Sequence, residues 1–333
     1  MAVYTQIDNP ELYFQCKLYT GTGSSQSITL DGDEDMQPDL VWIKQRSATE
    51  DHNVTDSVRG ATKTINPNAT TTEGTYSSVV SAFGSDGFTV GTSDWVNKSS
   101  STYVAWNWKE NNSDAGVDIV SYTGTGSNTT VSHGLSAVPN MIIVKDRDGA
   151  RDWTVYHKSV GNGKWLQLND TSAQQTGSQM WQDTDPTSSV FSIGTYAQVN
   201  TSSSKYIAYC FAEKQGFSKF GSYVGNANDN GPFIYCGFRP AWIMCKASSD
   251  SGEGWHILDN KRDIDNPVLT KLAANATSAD SATAGDNNVD FLSNGFKIIT
   301  NDNGLNKSGV TFIFAAFAEA PFVNSNGVPC NAR

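Results

Sequence analysis

The sequence lacks any long apolar run, and none of its stretches approaches the roughly 20 residues needed to span a bilayer. Residues 1–14 have neither a basic start nor an apolar core, so no signal peptide is expected. Charged residues make up only 17%, and acidic residues exceed basic ones to give a net charge of -11. Nucleic-acid-binding proteins gather lysine and arginine on one face. We therefore predict neither a nucleic-acid partner nor membrane insertion.

Cysteine and histidine are also scarce. The five cysteines have irregular spacing, and Cys210, Cys236 and Cys245 lie in apolar, strand-like runs. They are predicted to be reduced core residues of a protein made in a cytoplasm. The four histidines form no HxH or HExxH pair, so the sequence predicts neither a metal centre nor a histidine-based catalytic site.

A long internal repeat is present. The runs QPDLVWIK, VPNMIIVK and RPAWIMCK each place a proline before apolar residues that end at a lysine. These lysines, Lys44, Lys145 and Lys246, are separated by 101 residues each time. Downstream, TYVAWNWKE returns as KYIAYCFAE and TFIFAAFAE, and YTGTGSSQSITL returns upstream in two further versions. Landmarks in one order, three times over, indicate three copies of a module of about 100 residues.

The module has the composition of a β-sheet domain. Its five-residue apolar runs have the length of buried strands, and the proline before each suits the start of a strand. Ser, Thr, Asn, Gly and Asp crowd the gaps, as expected for many turns. We predict an all-β chain of three tandem antiparallel β-sandwich, jelly-roll-like domains. The predicted boundaries are an N-terminal attachment arm at 1–15, sandwich repeats at 16–117, 118–215 and 216–320, and a C-terminal tail at 321–333.

One acidic turn resembles a calcium loop. Asp31, Asp33 and Asp35 have the 1, 3, 5 spacing of such a loop. However, Met36 stands where an EF-hand needs glycine, and Trp42 stands where it needs glutamate. This leaves two readings, a loose surface calcium site or a solvated turn.

Catalytic carboxylates are not apparent. No strand-like run carries two acids at alternate positions, as a retaining glycosidase on a sandwich fold would. Glu110, Glu213 and Glu319 recur singly at one strand end in each copy, which suits a salt bridge or a strand terminator. No GxSxG, P-loop or Cys–His motif occurs. The sequence therefore predicts no enzyme and no cofactor.

Aromatic residues are the remaining candidates for binding, because a glycan site needs exposed rings beside amides or carboxylates. The candidate glycan-binding residues are Trp95, Trp153, Trp165, Trp181 and Trp255. The alternative is that most of them pack in cores or between modules. Nine Asn-x-Ser/Thr sequons, including those at Asn53, Asn68 and Asn306, are attributed to composition and not to glycosylation.

Several runs resemble a protein family common in marine bacteriophages. They include the N-terminal MAVYTQIDNPELYF, DSVRGATK, FGSDGFTVG, FAEKQGFSKFGSY and LDNKRD, and the resemblance covers nearly the whole chain. Members of that family are described as virion structural components, tail-fibre or tail-associated, and are sometimes labelled concanavalin A-like lectins. The family supplies no catalytic residues. The run DGDEDMQPD departs from its usual shorter glycine-rich loop.

The resemblance implies a virion protein made in the host cytoplasm, most simply a tail-fibre or tail-associated component that presents its modules to host glycans. The alternative is a capsid decoration or head-fibre protein with a purely structural role. Expected partners are other virion proteins, host-surface polysaccharide and further copies of the chain, by analogy with homotrimeric phage fibres. The arm at 1–15 is the expected attachment point, because Tyr4, Tyr13 and Phe14 give it many rings.

Overall fold

β-Strands make up most of the regular structure, as the turn-rich composition predicts. The computed structural model describes residues 5–110, 114–282 and 288–331. All strand pairs in these ranges are antiparallel, which confirms the predicted all-β, antiparallel fold class. The same described part of the chain has no helix long and apolar enough to cross a membrane.

We divide the chain into a first segment (14–110), a second segment (117–213) and a third segment (218–321). A 3-10 helix, Pro10–Leu12, precedes them. The first segment comprises β1 (Phe14–Thr20), β2 (Gln26–Thr29), β3 (Leu40–Gln45), β4 (Asn53–Asp56), β5 (Lys63–Thr64), β6 (Gly74–Thr75), β7 (Val80–Gly84), β8 (Gly87–Val90), α1 (Asp94–Asn97) and β9 (Thr102–Trp108).

The second segment comprises β10 (Val117–Thr123), β11 (Thr129–Ser132), β12 (Met141–Asp146), β13 (Thr154–His157), β14 (Lys164–Gln167), β15 (Gln175–Thr176), α2 (Ser178–Trp181), β16 (Val190–Ile193), α3 (Ala197–Asn200) and β17 (Lys205–Phe211). The third comprises β18 (Ser218–Val224), β19 (Phe233–Tyr235), β20 (Phe238–Ala247), β21 (Trp255–Asp259), β22 (Leu272–Ala273), β23 (Val289–Leu292), β24 (Gly295–Ile298), α4 (Asn303–Asn306) and β25 (Thr311–Pro321).

The three segments share one strand order. Each has a main sheet in which the first strand pairs with the last, the last with the third and the third with the fourth: β1-β9-β3-β4, β10-β17-β12-β13 and β18-β25-β20-β21. A small sheet accompanies each main sheet: β2-β8-β7, β11-β16 and β19-β24-β23. The landmark runs of the sequence repeat are the third and last strands of these main sheets.

Each main sheet is buried on both faces, as predicted for strands that are apolar on both sides. In the first segment, Tyr103 and Ala105 pack with the small sheet in a local core. Trp106 and Trp108, which alternate with them, lie in a second core. That second core includes residues of all three segments and surrounds a small apolar cavity of about 30 Å³. The division into three separate domains stays a prediction, because this core belongs to no single segment.

The repeated lysines have a structural explanation. Lys44, Lys145 and Lys246 are fully buried at the ends of β3, β12 and β20. The ammonium of Lys145 donates to the carbonyl of Thr70 in the first segment at 3.2 Å, and that of Lys246 donates to Thr171 in the second segment at 3.3 Å. Burial lowers the pKa of all three lysines to about 8. In the second and third segments the lysine that ends the apolar run therefore binds the preceding segment, whereas Lys44 donates to the carbonyl of Gln45 in its own segment.

A second recurring hydrogen bond joins the segments. Trp153 and Trp255 each donate an indole hydrogen to a backbone carbonyl of the preceding segment, at 3.0 Å and 2.8 Å. His52 takes the corresponding place in the first segment, and its Nε2 lies 3.0 Å from the carbonyl of Ala273 in the third. The His52 Nδ1 accepts from the Trp42 indole at 2.8 Å, so Nε2 is the protonated nitrogen.

Three equivalent backbone hydrogen bonds complete these junctions. In each, the backbone N–H of a loop residue donates, at 2.8–2.9 Å, to a carbonyl at the end of the third strand of the next segment. The three bonds run from Glu73 to Arg147, from Gln174 to Ser248 and from Asp280 to Arg46. The last of these connects the third segment back to the first. The three segments therefore form a closed ring around the shared core.

The predicted attachment arm packs on the chain itself over its described residues. Ile7 is buried, and the backbone N–H of Gln6 donates to the carbonyl of Gln215 at 3.0 Å. The ring of Tyr13 meets Phe217 edge-on at 6.1 Å. Tyr4 lies outside the described residues. The contact of this arm with another protein stays a prediction.

The edges of the repeats differ slightly from the predicted boundaries. Phe14, assigned to the arm, begins β1 and stacks on Phe317 of the third segment with ring centroids 5.2 Å apart. At the other end, β25 continues to Pro321, one residue into the predicted tail. The first strand starts earlier than expected because Phe14 and Gln15 continue the ladder with β9.

Candidate functional surface

The structure places four of the five candidate tryptophans inside the protein. Trp153 and Trp255 are the junction donors described above, and Trp165 and Trp181 pack in the core of the second segment. A ring that stacks on a sugar must be exposed, and these four rings are buried. Only Trp95 is half-buried, and the five do not come together at one place.

The acidic turn is exposed and paired with lysines. Asp31, Asp33 and Asp35 lie at the surface. Asp31 is 3.4 Å from the ammonium groups of both Lys17 and Lys261. In the part of the chain that the structure describes, no group of three His, Cys, Asp or Glu side chains is arranged to hold a metal ion. The turn forms ion pairs in this structure and no calcium cage.

The four histidines are buried in the protein. His157 donates from Nε2 to the carbonyl of Phe314 at 3.2 Å and accepts the Ser159 N–H at Nδ1 at 3.2 Å. Burial lowers the pKa of His157 to about 4 and that of His52 to about 3. Both rings are therefore neutral hydrogen-bonding groups at segment junctions.

A buried ion pair sits at the junction of the first and second segments. The Asp56 carboxylate lies 2.5 Å from the Nε of Arg59, and neither side chain has exposed surface. The hydroxyl of Tyr209, in the second segment, donates to the same carboxylate at 2.7 Å. The pair thus accepts a hydrogen bond from the neighbouring segment in a solvent-free site.

The other two junctions show that this pair depends on its neighbour. Asp259 and Arg262 form the same pair at 2.7 Å and accept the indole N–H of Trp106 at 2.9 Å. At the third junction the corresponding residues are His157 and Val160. The facing segment carries an alanine there, so His157 donates to a backbone carbonyl instead. An acidic acceptor is present only where the neighbouring side chain supplies a donor.

Of the three recurrent glutamates, Glu213 and Glu319 form salt bridges and Glu110, among the described residues, does not. Glu213 bonds to Lys158 and Lys219 at 2.9 and 2.5 Å, in agreement with the predicted salt-bridge role. Glu110 instead accepts from the backbone of Ile119 at 3.1 Å and hydrogen-bonds Asp118, which occupies the position of Lys219. Burial, followed by this contact with Asp118, raises the pKa of Glu110 to about 7.

Replacing Asp118 by asparagine should therefore make the protein less sensitive to rising pH. The folded chain holds a proton on Glu110 that the unfolded chain releases near pH 4.5, so stability falls as pH rises from about 4.5 to 7. Asparagine can keep the bond from the Gly134 N–H and donate to Glu110. Between pH 5 and pH 8, we expect the free energy of unfolding to fall by about 1 kcal/mol less in Asp118→Asn than in the wild type. If urea unfolding gives the same change in the free energy of unfolding between pH 5 and pH 8 for both proteins, this prediction is contradicted.

The small sheet of the third segment has an unusual outer face. On β19, Ile234 is buried, whereas Phe233 and Tyr235 on either side are 46% and 60% exposed. Successive residues of a strand point to opposite faces, so both rings face away from the core. The register places Lys297 opposite Phe233 and Gly295 opposite Tyr235 on β24. The next strand adds Asp290 opposite Lys297 and Leu292 opposite Gly295.

The corresponding faces of the other segments carry hydroxyl groups. In the first segment, Ser27 and Thr29 flank the buried Ile28. In the second, Thr130 and Ser132 flank the buried Val131. The inward residue is therefore apolar in all three copies, and at these flanking strand positions only the third segment places aromatic rings. We call the outer face formed by Phe233, Tyr235, Lys297, Gly295, Asp290 and Leu292 the aromatic face.

A family model described as "Domain of unknown function (DUF7483)" matches residues 9–321. The chain belongs to this family. The match spans the three segments and the 3-10 helix before them, so the DUF7483 unit corresponds to the whole ring and not to one repeat. No curated protein matches the sequence.

Sequence reasoning missed both the junction pairs and a set of buried asparagines. Asp56–Arg59 and Asp259–Arg262 lie in the runs DSVR and LDNKR, whose shared Asp-x-x-Arg spacing was a usable signal. Asn97, Asn200 and Asn306 end a short helix in each segment and are fully buried. Each accepts a backbone N–H from the loop after the first strand at 2.6–2.8 Å. These three sequons are therefore structural, in line with the interpretation that discounted glycosylation.

Proposed function

We propose that this chain is a bacteriophage virion structural protein, a tail-fibre or tail-associated component that presents its outer sheets to the host surface without catalysing a reaction. The observation that carries the proposal is the placement of its ionisable groups. His52, His157 and the pairs Asp56–Arg59 and Asp259–Arg262 all lie in solvent-free junctions of the ring. These ionisable side chains join the segments to one another, as expected of a rigid structural protein.

The virion setting is supported by the sequence resemblance of the DSVRGATK and FAEKQGFSKFGSY runs. The first of these runs supplies the buried pair Asp56–Arg59. The second forms the passage between the second and third segments, where Phe217 and Phe220 enter the shared core. The resembling runs are thus ring-forming parts. Assembly into a homotrimer on the virion belongs to the same proposal.

The second candidate is a capsid decoration or head-fibre protein. It would use the same rigid ring without a receptor. The aromatic face favours the fibre over this alternative, because a purely structural module has no need of two exposed rings on one strand.

Mass spectrometry of purified phage particles would test the assignment. We expect the chain in particles purified through a density gradient, at a copy number typical of a structural protein, and at the tail in electron micrographs labelled with an antibody against it. Labelling of the head would support the second candidate instead. Presence in infected cells together with absence from particles would overturn both.

A further inference from the structure

The aromatic face is not required by the fold. Phe233 and Tyr235 occupy positions at which the other two segments place serine and threonine, with the same strand order and the same buried residue between them. The hydrophobic effect favours burial of such rings. Two that stay 46% and 60% exposed at equivalent, dispensable positions indicate a ligand.

We propose that the aromatic face binds a saccharide, with Phe233 and Tyr235 stacking on sugar rings. This proposal rests on the proposed role in host-surface attachment, and it names the class of ligand and the site that binds it. Residues two apart on a strand are separated by roughly 7 Å, so the two rings form a short platform along β19.

Polar groups lie next to the rings, as saccharide binding needs. The ammonium of Lys297 lies 2.6 Å from the side-chain oxygen of Asn230 and 3.3 Å from the carbonyl of Gly231. Asp290 is its cross-strand neighbour. Sugar hydroxyls both donate and accept hydrogen bonds, and this row offers an ammonium donor and a carboxylate acceptor beside an aromatic ring.

The size of the face favours a saccharide over a protein partner. A stable protein interface buries about 800 Å² on each side. One aromatic side chain buries about 150–250 Å² at most, and each ring here is already partly covered. Leu292 beside them is itself partly buried. The apolar area is therefore too small for a second copy of the chain, but it suits one or two sugar rings.

The test uses the purified full-length protein and a printed array of bacterial, fungal and plant saccharides. The test variant Phe233→Thr/Tyr235→Ser reproduces the face of the second segment. The matched control, Thr130→Ala/Ser132→Ala, changes the equivalent positions there. We expect the wild type and the control to bind the same saccharides, and the test variant to bind them at least about tenfold more weakly by titration calorimetry. Both variants should keep the wild-type melting temperature, because the changed side chains are exposed.

Equal affinity of wild type and test variant would overturn the proposal, as would a wild type that binds nothing on the array. Loss of self-association or of binding to another virion protein in the test variant, with saccharide binding unchanged, would assign the face to a protein and also overturn it. Absence of the chain from particles would contradict the virion assignment alone.

Discussion

Replacing Arg59 by methionine should lower the free energy of unfolding by about 3–5 kcal/mol, because it leaves the Asp56 carboxylate buried without its partner. Both side chains have no exposed surface. Arg59 also donates to the carbonyl of Val54 at 2.9 Å, so that acceptor loses a donor as well. Urea unfolding at pH 7 measures the loss.

A triple variant separates the charge effect from packing. Asp56→Leu/Arg59→Met/Tyr209→Phe removes the ion pair together with the hydroxyl that donates to it. Replacing a buried ion pair by apolar groups is far milder than breaking it. The triple variant should therefore regain most of the stability lost in Arg59→Met. A loss below about 1 kcal/mol for Arg59→Met, or no recovery in the triple variant, would contradict this account of the junction.

Lowering the pH from 7 to 5 should destabilise the protein by about 4 kcal/mol through His52 and His157 alone. Burial lowers their pKa values from 6.5 to about 3 and about 4, so the unfolded chain takes up protons that the folded chain excludes. The stability that these two neutral histidines contribute is fully present above pH 6.5 and is lost as the pH falls toward 4. Each of the two histidines lowers the free energy of unfolding by about 2 kcal/mol between pH 7 and pH 5. His133 and His256, whose pKa values burial also lowers, act in the same direction.

The variant His157→Gln isolates one of these contributions. Glutamine does not titrate, and its amide can donate to the Phe314 carbonyl in place of Nε2. The difference between the free energies of unfolding at pH 7 and pH 5 should shrink by about 2 kcal/mol relative to the wild type. An unchanged difference would show that His157 does not carry the acid sensitivity.

The main strands could be predicted because their signal is local. A proline, an apolar run and a lysine identify β3, β12 and β20, and an apolar pattern on both sides indicates burial of both sheet faces. The ring could not be predicted in this way. Its junction bonds join residues far apart in sequence, such as His52 and Ala273, 221 positions apart. No periodicity in a single chain specifies such a contact.

Which of the candidate tryptophans are buried could not be predicted, for a related reason. Trp153 and Trp255 have polar neighbours in the sequence, as an exposed tryptophan would, yet their indoles reach carbonyls of another segment. Phe233 and Tyr235 escaped notice because Phe-Ile-Tyr has no polar residue that reveals alternation. Only the register, which buries Ile234, shows that the rings point outward.

The junction contacts also determine which rearrangements of the gene the fold would tolerate. Asp56 meets Tyr209, His157 meets the carbonyl of Phe314, and Asp259 meets Trp106: three pairings, each between different segments. Cyclic reordering into second-third-first would keep every one of these pairings. Exchanging any two segments would break all three pairings, because His157 and Asp259 would then face a segment that lacks their partners. Among the three, only the first segment carries both an acidic acceptor, Asp56, and a donor for such an acceptor, Trp106.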